Sequence, residues 1–332
     1  GDSVLTLPFL YRVLKNEECR RLDLVVAPRN EAIFKLAFER GLSFAQDRVK
    51  LIRYDKKKDS SLFAIKKFAE ETLEPHASKV FCLQRSFRSG LIAFFSQAQE
   101  RIGFASGSAS FLYTKMVPRS WSDGVHEIEK NLNLLRSAFG TCQSWISDES
   151  PSLLSSSYNG ERQEKKYDLC IALGSPWLTK RWPLNHVEKV IEWADSKKLS
   201  ILLIGDQEAA EWSRDYRNTW RANVTDLCGQ SNVQEWIDLV GTSRFVLSGD
   251  SATLHVASDA RIPTLALFGP TVPGFGFYPW RSQGEVLEKE LSCRPCDIHG
   301  AKKCPLKHHQ CMEDLSPELV QLALEKFFFK SF

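Results

Sequence analysis

The chain has 332 residues, a net charge of +3 and a charged fraction of 26%. Its hydrophobic fraction of 43% is ordinary for a globular protein and excludes a collagen-like, coiled-coil or wholly disordered chain. The longest apolar runs are strand-sized, far below the ~20 residues of a membrane-spanning helix. The small net charge does not favour nucleic acid as a partner, and the length predicts two domains.

The first half of the chain alternates helices with strands. An amphipathic helix follows an opening loop, with apolar side chains between Val4 and Leu14 on one face. Beyond it we predict strands at 22–27, 50–54 and 80–83 and helices at 31–40, 61–73 and 89–97. This alternation is typical of parallel βαβ units. Because such a unit begins on a strand, the pattern also predicts a first strand before residue 1 that is missing from the chain.

A polar, serine-rich stretch at 148–166 predicts a linker between two domains. The alternation then resumes, which predicts a doubly wound parallel sheet with strands at 167–173, 199–204, 224–227, 245–248 and 263–268. The helices between them are predicted at 183–196, 208–219, 233–242 and 252–260. We therefore predict domains at residues 1–150 and 167–315, with a final helix within 316–332.

Polar residues follow two of the predicted strands early in the second half of the chain. Doubly wound sheets bind ligands beyond the carboxyl ends of their strands, so these residues are candidates for a ligand site. Ser175 and Lys180 follow the strand at 167–173, and a cation beside a helix start suits a phosphate group. A solvated loop is the alternative. After the strand at 199–204, Asp206 and Glu208 suit ribose hydroxyls, although Asp206 could equally cap the next helix.

A third strand end carries the strongest pattern of this kind. Asp250, Ser251 and Thr253 surround a helix start whose backbone N–H groups would form an anion site. A plain helix cap by Asp250 or Ser251 is the alternative. The last strand leads into 267–274, a stiff loop with two glycines and two prolines.

The order and spacing of these strand ends resemble the lipopolysaccharide heptosyltransferases of glycosyltransferase family nine. The matching motifs are Thr179-Lys-Arg-Trp-Pro, Ile204-Gly-Asp-Gln-Glu, Gly249-Asp-Ser-Ala-Thr-Leu-His-Val-Ala and Leu267-Phe-Gly-Pro-Thr-Val-Pro. The opening residues 1–8 and the segments 83–91 and 125–129 are also similar to that family. The segment 293–311 is most like that of heptosyltransferase II. The resemblance extends over essentially the whole chain.

This resemblance implies a GT-B fold, in which two Rossmann-like domains face a cleft. The C-terminal domain would bind the nucleotide sugar, the N-terminal domain the acceptor, and the final helix would pack back on the first domain. The implied activity is inverting transfer of L-glycero-D-manno-heptose from ADP-heptose to the lipid A–Kdo inner core of lipopolysaccharide. It implies a cytoplasmic enzyme without a catalytic metal, in peripheral contact with the inner face of the cytoplasmic membrane.

The resemblance also assigns roles to single residues. Asp2 would be the general base, although by itself it would be interpreted as a helix cap, and Lys180 would stabilise the departing diphosphate. Glu208 would hold the ribose and Asp250 the heptose. The other donor-binding residues implied are Ser175, Ser251, Ala252, Thr253, Leu254 and His255.

One departure from the family pattern lies inside this set. Ala252 stands where the family usually has glycine, so one methyl group beside the phosphates would either crowd the donor or fix the helix start. Two other functions stay open. One is a related transferase of the same family with another donor or acceptor. The other, which Ala252 and the missing first strand allow, is a nucleotide-sugar-binding protein with impaired catalysis.

Four of the nine cysteines cluster near the C-terminus, at Cys293, Cys296, Cys304 and Cys311. Their spacing, C-x2-C-x7-C-x6-C, suits a tetrahedral structural zinc ion in a reducing compartment. Disulfides and free thiols are the alternatives.

Overall fold

The computed structural model describes residues 1–58, 61–75, 77–121, 123–140, 152–154, 164–219 and 223–329. The chain divides into two compact units. The first unit is Leu5–Pro151, and the second comprises Ser152–Phe332 together with Gly1–Val4. The domain boundary predicted near residue 150 thus lies close to that between the units, except that the first four residues group with the second unit. Most of the predicted linker lies outside the described residues.

The first unit contains two small parallel sheets, one of β1 and β2 and one in the order β3-β4-β5. Its strands are β1 Leu22–Val26, β2 Val49–Arg53, β3 Lys79–Cys82, β4 Glu100–Phe104 and β5 Lys115–Val117. Its helices are α1 Asp2–Lys15, α2 Glu31–Glu39, α3 Leu62–Thr72, α4 Phe87–Phe95 and α5 Glu127–Phe139. Helix α1 begins in the residues that are grouped with the second unit. The three predicted strands and the helices after them are confirmed, within a few residues at their ends.

The second unit is a single parallel sheet of six strands with helices between them. Its strands are β6 Tyr167–Ala172, β7 Ile201–Ile204, β8 Val224–Asp226, β9 Ser243–Gly249, β10 Thr264–Phe268 and β11 Gly284–Glu288. Its helices are α6 Leu184–Ser196, α7 Gln207–Trp212, α8 Val233–Gly241, α9 Ala252–Asp259, α10 Gln310–Glu313 and α11 Pro317–Phe328.

The strand order of this sheet is β11-β10-β9-β6-β7-β8. β6 therefore lies in the middle, with Leu169 paired to Ile201 of β7 on one side and to Phe245 of β9 on the other. Every residue of β7 and β10 is buried, as expected for parallel strands covered by helices on both faces. The connections run in opposite directions from β6 and β9, which creates a topological switch point, the usual ligand site of such sheets.

Two details of the second unit differ from the sequence prediction. A sixth strand, β11, pairs with β10 at the edge of the sheet. Only two of its five residues are apolar, so it carried too weak a pattern to be predicted. The helix predicted at 208–219 ends at Trp212 and continues as the 3-10 turn Arg214–Thr219.

The final helix α11 packs on the second unit, whereas we expected it on the first domain. Val320, Ala323 and Leu324 are buried in the same core as the sheet. Phe327 lies 4.6 Å from Phe245, measured between ring centroids. The apolar stripe of α11 is therefore used within the unit that carries it, and packing of this helix on the first domain stays a prediction.

Asp259, at the end of α9, holds the first described residues of the second unit. Its carboxylate accepts the backbone N–H groups of Leu153 and Leu154, at 3.1 and 3.0 Å, and the Ser152 hydroxyl at 2.8 Å. Burial raises the pKa of Asp259, and these hydrogen bonds act against it. The chain that enters the second unit is thus bound to the helix that follows its switch-point strand.

No helix among the described residues is both long enough and apolar enough to cross a bilayer.

Candidate functional site

The switch point places the ends of β6 and β9 side by side, and close backbone packing shapes the turn after β6. Gly174 has a φ of +83°, and a Cβ atom there would lie 2.7 Å from the Ala209 Cβ. A side chain would therefore both strain the backbone and collide with α7. The turn after β6 brings the following loop, including Lys180, over the end of β9.

An ion pair joins two of the predicted donor-binding residues. Lys180 Nζ lies 2.5 Å from Asp250 Oδ2, and both side chains are about nine-tenths buried. The Thr271 hydroxyl donates to the same Asp250 oxygen at 2.8 Å. Three separate strand ends, after β6, β9 and β10, thus meet at one carboxylate. The sequence suggested Lys180 as a lone cation, but in the fold its charge is balanced by Asp250.

The N-terminus of α9 lies directly beside this pair. Ser251 occupies its N-cap position, one of the two cap alternatives, but its hydroxyl makes no capping hydrogen bond to the helix. The Ser251 hydroxyl lies 2.9 Å from the Ser248 hydroxyl. The first turn, with Ala252, Thr253 and Leu254, presents the backbone N–H groups that a helix leaves without intrahelical partners. A helix start of this kind next to a lysine favours a bound anion.

A second ion pair lies at the ends of β6 and β7. Arg181 is buried, and its guanidinium lies 2.9 Å from Glu208 Oε1 and donates to the Ser175 carbonyl at 3.0 Å. The Glu208 side chain is about half exposed, so its other oxygen is accessible to solvent. Asp206 caps α7 by accepting the Ala209 N–H at 2.9 Å. Of the alternatives for this strand end, Asp206 is thus the cap, and Arg181 orients Glu208.

The segment that contains the clustered cysteines covers the loop that carries Lys180. Thr179 and Ala301 exchange backbone and side-chain hydrogen bonds, and His309 Nε2 donates to the Thr179 carbonyl at 2.8 Å. A Cβ atom on Gly300 would lie 3.2 Å from the Lys180 side chain. This segment therefore limits the positions that the Lys180 ammonium group can reach.

Arg294 binds the same segment to the loop after β10. Its guanidinium donates to the Phe268 and Thr271 carbonyls at 3.0 and 2.8 Å, and also to the Gly269 carbonyl. It lies 2.8 Å from Glu288 Oε2 and is almost fully buried. Arg294 thus fixes the loop whose Thr271 hydroxyl contacts Asp250. Sequence analysis missed it, because an arginine inside a cysteine-rich loop has no local pattern to single it out.

The four clustered cysteines are free thiols in the structure. Burial and the charges of neighbouring cysteines raise the pKa of Cys296 and raise that of Cys311 to about 11. Burial opposes ionisation of Cys304 as well, but backbone N–H groups of residues 306–309 outweigh it and lower the pKa of that thiol. Within the described ranges, no three His, Cys, Asp or Glu side chains are placed to share a metal ion. The zinc site stays a prediction from the spacing of Cys293, Cys296, Cys304 and Cys311.

The N-terminal residues lie against α9. A Cβ atom on Gly1 would lie 3.3 Å from the imidazole of His255, which is itself buried. Asp2 is exposed and forms the first turn of α1 rather than a cap before it. Asp2 therefore directly follows a residue that lies beside α9, the helix that presents Ser251 and Thr253. Its role as a base stays a prediction.

The first unit has a cationic cluster that the sequence analysis did not single out. The Arg85 guanidinium lies 3.8 Å from the ring centroid of Trp121, and Arg119 lies 4.7 Å from the same ring. Arg119 is paired with Glu127 at 2.7 Å, with both side chains largely buried. Burial and the charge of Arg119 lower the pKa of Arg85, against the opposite effect of Glu127. Two arginines around one indole present more positive than negative charge.

Comparison with known proteins identifies the family. The model of glycosyltransferase family 9 (heptosyltransferase) matches residues 65–308, about three quarters of the chain. The chain belongs to this family. Among curated relatives, lipooligosaccharide heptosyltransferase 2 of Campylobacter jejuni (serotype O:6) is 30% identical over 151 residues, which cover 44% of this chain and 46% of the relative. The chain thus matches less than half the length of that family 9 relative.

Two solved structures confirm the GT-B fold class. A glycosyltransferase family 9 protein of Veillonella parvula superposes with a TM-score of 0.76 at 18% identity, covering 100% of this chain and 95% of its own. The E. coli heptosyltransferase WaaC with ADP gives a TM-score of 0.73 at 16% identity, covering 98% and 96%. At these sequence identities, the likeness to the two structures shows the fold alone.

Proposed function

We propose that this family 9 protein transfers L-glycero-D-manno-heptose from ADP-heptose to the inner core of lipopolysaccharide, with inversion, in the cytoplasm. The observation that carries the proposal is the meeting of Lys180, Asp250 and Thr271 at the start of α9. This arrangement offers a cation, a helix N-terminus and a carboxylate, which suit a diphosphate and the hydroxyls of a sugar. The family and the solved folds support the same reaction class.

We propose that the diphosphate of the donor binds between the Lys180 ammonium and the first turn of α9. The bond from the anomeric carbon to the diphosphate oxygen breaks during transfer, and ADP leaves with the electron pair. Lys180 and the N–H groups of α9 stabilise the negative charge that develops on that oxygen, which is often the largest contribution to catalysis. Glu208, held by Arg181, would accept hydrogen bonds from the ribose.

Asp2 is the proposed base of the reaction. The acceptor hydroxyl attacks the anomeric carbon from the face opposite the diphosphate, which inverts the configuration, and its proton passes to the Asp2 carboxylate. The contact of Gly1 with His255 supports this role, because it places the start of α1 at the donor-binding helix. Lys180 and the helix dipole already supply positive charge at the leaving group, so we propose that turnover needs no metal ion.

We propose that the acceptor is the lipid A–Kdo core, which carries carboxylates and phosphates. The excess positive charge of Arg85 and Arg119 around Trp121 supports an anionic acceptor on the first unit. A lipid acceptor requires the enzyme to work in peripheral contact with the inner face of the cytoplasmic membrane.

The test of this proposal is a donor assay with the purified chain. ADP release from ADP-heptose in the presence of the lipid A–Kdo acceptor is expected to exceed release without acceptor, and the product is expected to gain one heptose by mass. ADP-glucose, which differs from ADP-heptose in the sugar, and UDP-glucose, which differs in both the base and the sugar, serve as comparison donors. Transfer from either at the same rate as from ADP-heptose would contradict the proposed donor, and donor binding without any transfer would indicate a binding protein.

A further inference from the structure

The first unit exposes several large apolar side chains at the starts of helices and turns. Phe63 is 77% exposed and Leu62 59% exposed in the first turn of α3. Phe87, the first residue of α4, is 47% exposed, and Phe111, in the turn after β4, is 72% exposed. Apolar side chains exposed singly are ordinary, but several at neighbouring positions mark an interaction surface.

These side chains follow the carboxyl ends of three strands, β2 of the two-stranded sheet and β3 and β4 of the three-stranded sheet. α3 follows β2, α4 follows β3, and the turn with Phe111 follows β4. The rings of Phe87 and Phe111 are 6.1 Å apart, so they form one apolar spot. α3 and α4 pack together through Ile65 and Ile92, whose side chains lie in one buried cluster. The exposed residues therefore belong to adjacent elements of one unit.

Consecutive lysines accompany this apolar group. Lys56, Lys57 and Lys58 lie between β2 and α3, and all three are exposed. Exposed Leu62 and Phe63 begin the helix that follows. Apolar side chains next to a short basic run are the combination that binds the surface of an anionic bilayer. The rings enter the boundary between headgroups and acyl chains, and each lysine near the surface adds attraction to anionic lipid.

We propose that the lipid-facing patch, defined as Lys56–Lys58, Leu62, Phe63, Phe87 and Phe111, docks this protein on an anionic phospholipid bilayer. Leu62 and Phe63 insert below the headgroups, and the lysines bind lipid phosphates. The inference rests on the proposed function in one respect, namely that a lipid acceptor gives such docking a purpose. Binding to lipid is nevertheless measured with neither donor nor acceptor present.

The experiment is co-sedimentation of the full chain with vesicles of phosphatidylcholine, alone or mixed with phosphatidylglycerol. We expect at least ~10-fold stronger binding to the anionic vesicles at low salt, with most of this difference lost at high salt. The double variant Leu62→Ser with Phe63→Ser is expected to bind vesicles about 10-fold or more weakly than the parent, because it lacks the two apolar side chains that insert into the bilayer. Replacing Lys56, Lys57 and Lys58 by alanine is expected to remove the preference for anionic vesicles.

A chemically matched control lies in the second unit. Leu306 is 60% exposed, and Lys302 and Lys303 are exposed close to it in the chain. The variant Leu306→Ser with Lys302→Ala and Lys303→Ala is expected to bind anionic vesicles as the parent does. Circular dichroism and the unfolding temperature verify that each variant is folded.

Three results would overturn the proposal. They are a parent that does not bind anionic vesicles, patch variants that bind as well as the parent, and a control variant that loses binding as the patch variants do. A patch that captures another protein but no vesicles also counts against it. Failure of the proposed function looks different, because the parent would then bind vesicles without transferring heptose.

Discussion

The ion pair between Lys180 and Asp250 gives the most direct test of the donor site. We consider Lys180→Met, which keeps the aliphatic stem and removes the charge. Both side chains of the pair are about nine-tenths buried, so the variant leaves the Asp250 carboxylate with the neutral Thr271 hydroxyl as a donor and without the counter-charge of Lys180. Removing one partner of a buried pair costs about 3 kcal/mol of unfolding free energy, because the remaining charge stays desolvated.

The catalytic cost of the same substitution is separate. A single group that stabilises the developing charge of a leaving group is worth about 10²-fold in turnover, or ~2.7 kcal/mol of activation free energy. The double variant Lys180→Met with Asp250→Asn removes both charges and keeps a polar group for Thr271. It is therefore expected to regain most of the lost stability, but not the turnover.

The assay measures ADP release from ADP-heptose with acceptor, beside denaturant unfolding of the parent, both single variants and the double variant. Asp250→Asn alone is the matched control, because it leaves Lys180 charged and removes the carboxylate proposed to hold the heptose. Near-parental turnover in Lys180→Met would refute the role of the cation. Recovery of turnover together with stability in the double variant would show that the loss was structural.

Four further predictions concern three other residues and the metal requirement. Asp2→Asn is expected to melt within a few degrees of the parent, bind ADP-heptose normally and lose ~10²-fold in turnover, because an amide cannot take the acceptor proton. Arg294→Lys is expected to lower the unfolding free energy by about 2 kcal/mol, since a single ammonium group cannot satisfy the carbonyls of Phe268 and Thr271 together. Asp259→Asn is expected to flatten the pH dependence of stability. Because burial raises the pKa of Asp259 in the fold above its ordinary value, the stability that this group contributes is fully present at low pH and is lost as pH rises through the raised pKa. Turnover is expected to be unchanged by EDTA.

Each of these expectations has a contrary result. Retained turnover in a folded Asp2→Asn variant would mean that Asp2 is not the base and has only a structural role at the start of α1. An unfolding midpoint of Arg294→Lys equal to that of the parent would mean that its contacts to the loop after β10 are dispensable. Parallel pH profiles for the parent and Asp259→Asn would assign the slope to other groups, and loss of turnover with EDTA that Mg²⁺ restores would contradict the metal-free reaction.

Most strands and helices were predictable because their signal is local. Apolar runs such as 199–204 and amphipathic stretches such as 233–242 show their periodicity in a few residues. The edge strand β11 carries little apolar pattern and was missed. The sequence did not predict that α11 packs in the core of its own unit, because an apolar stripe shows that a helix is buried but not against which partner.

The sequence by itself determined the family, the alternation of strands and helices in the second unit and the strand ends that carry Lys180, Glu208 and Asp250. These depend on motifs and on hydrophobic periods that are local in the chain. Only the tertiary structure decided that Lys180 pairs with Asp250, 70 residues away, and that Arg181 orients Glu208. The physical reason is the strand order, since β6 lies between β7 and β9 and so brings the loops after three strands to one edge, where buried charges must find partners.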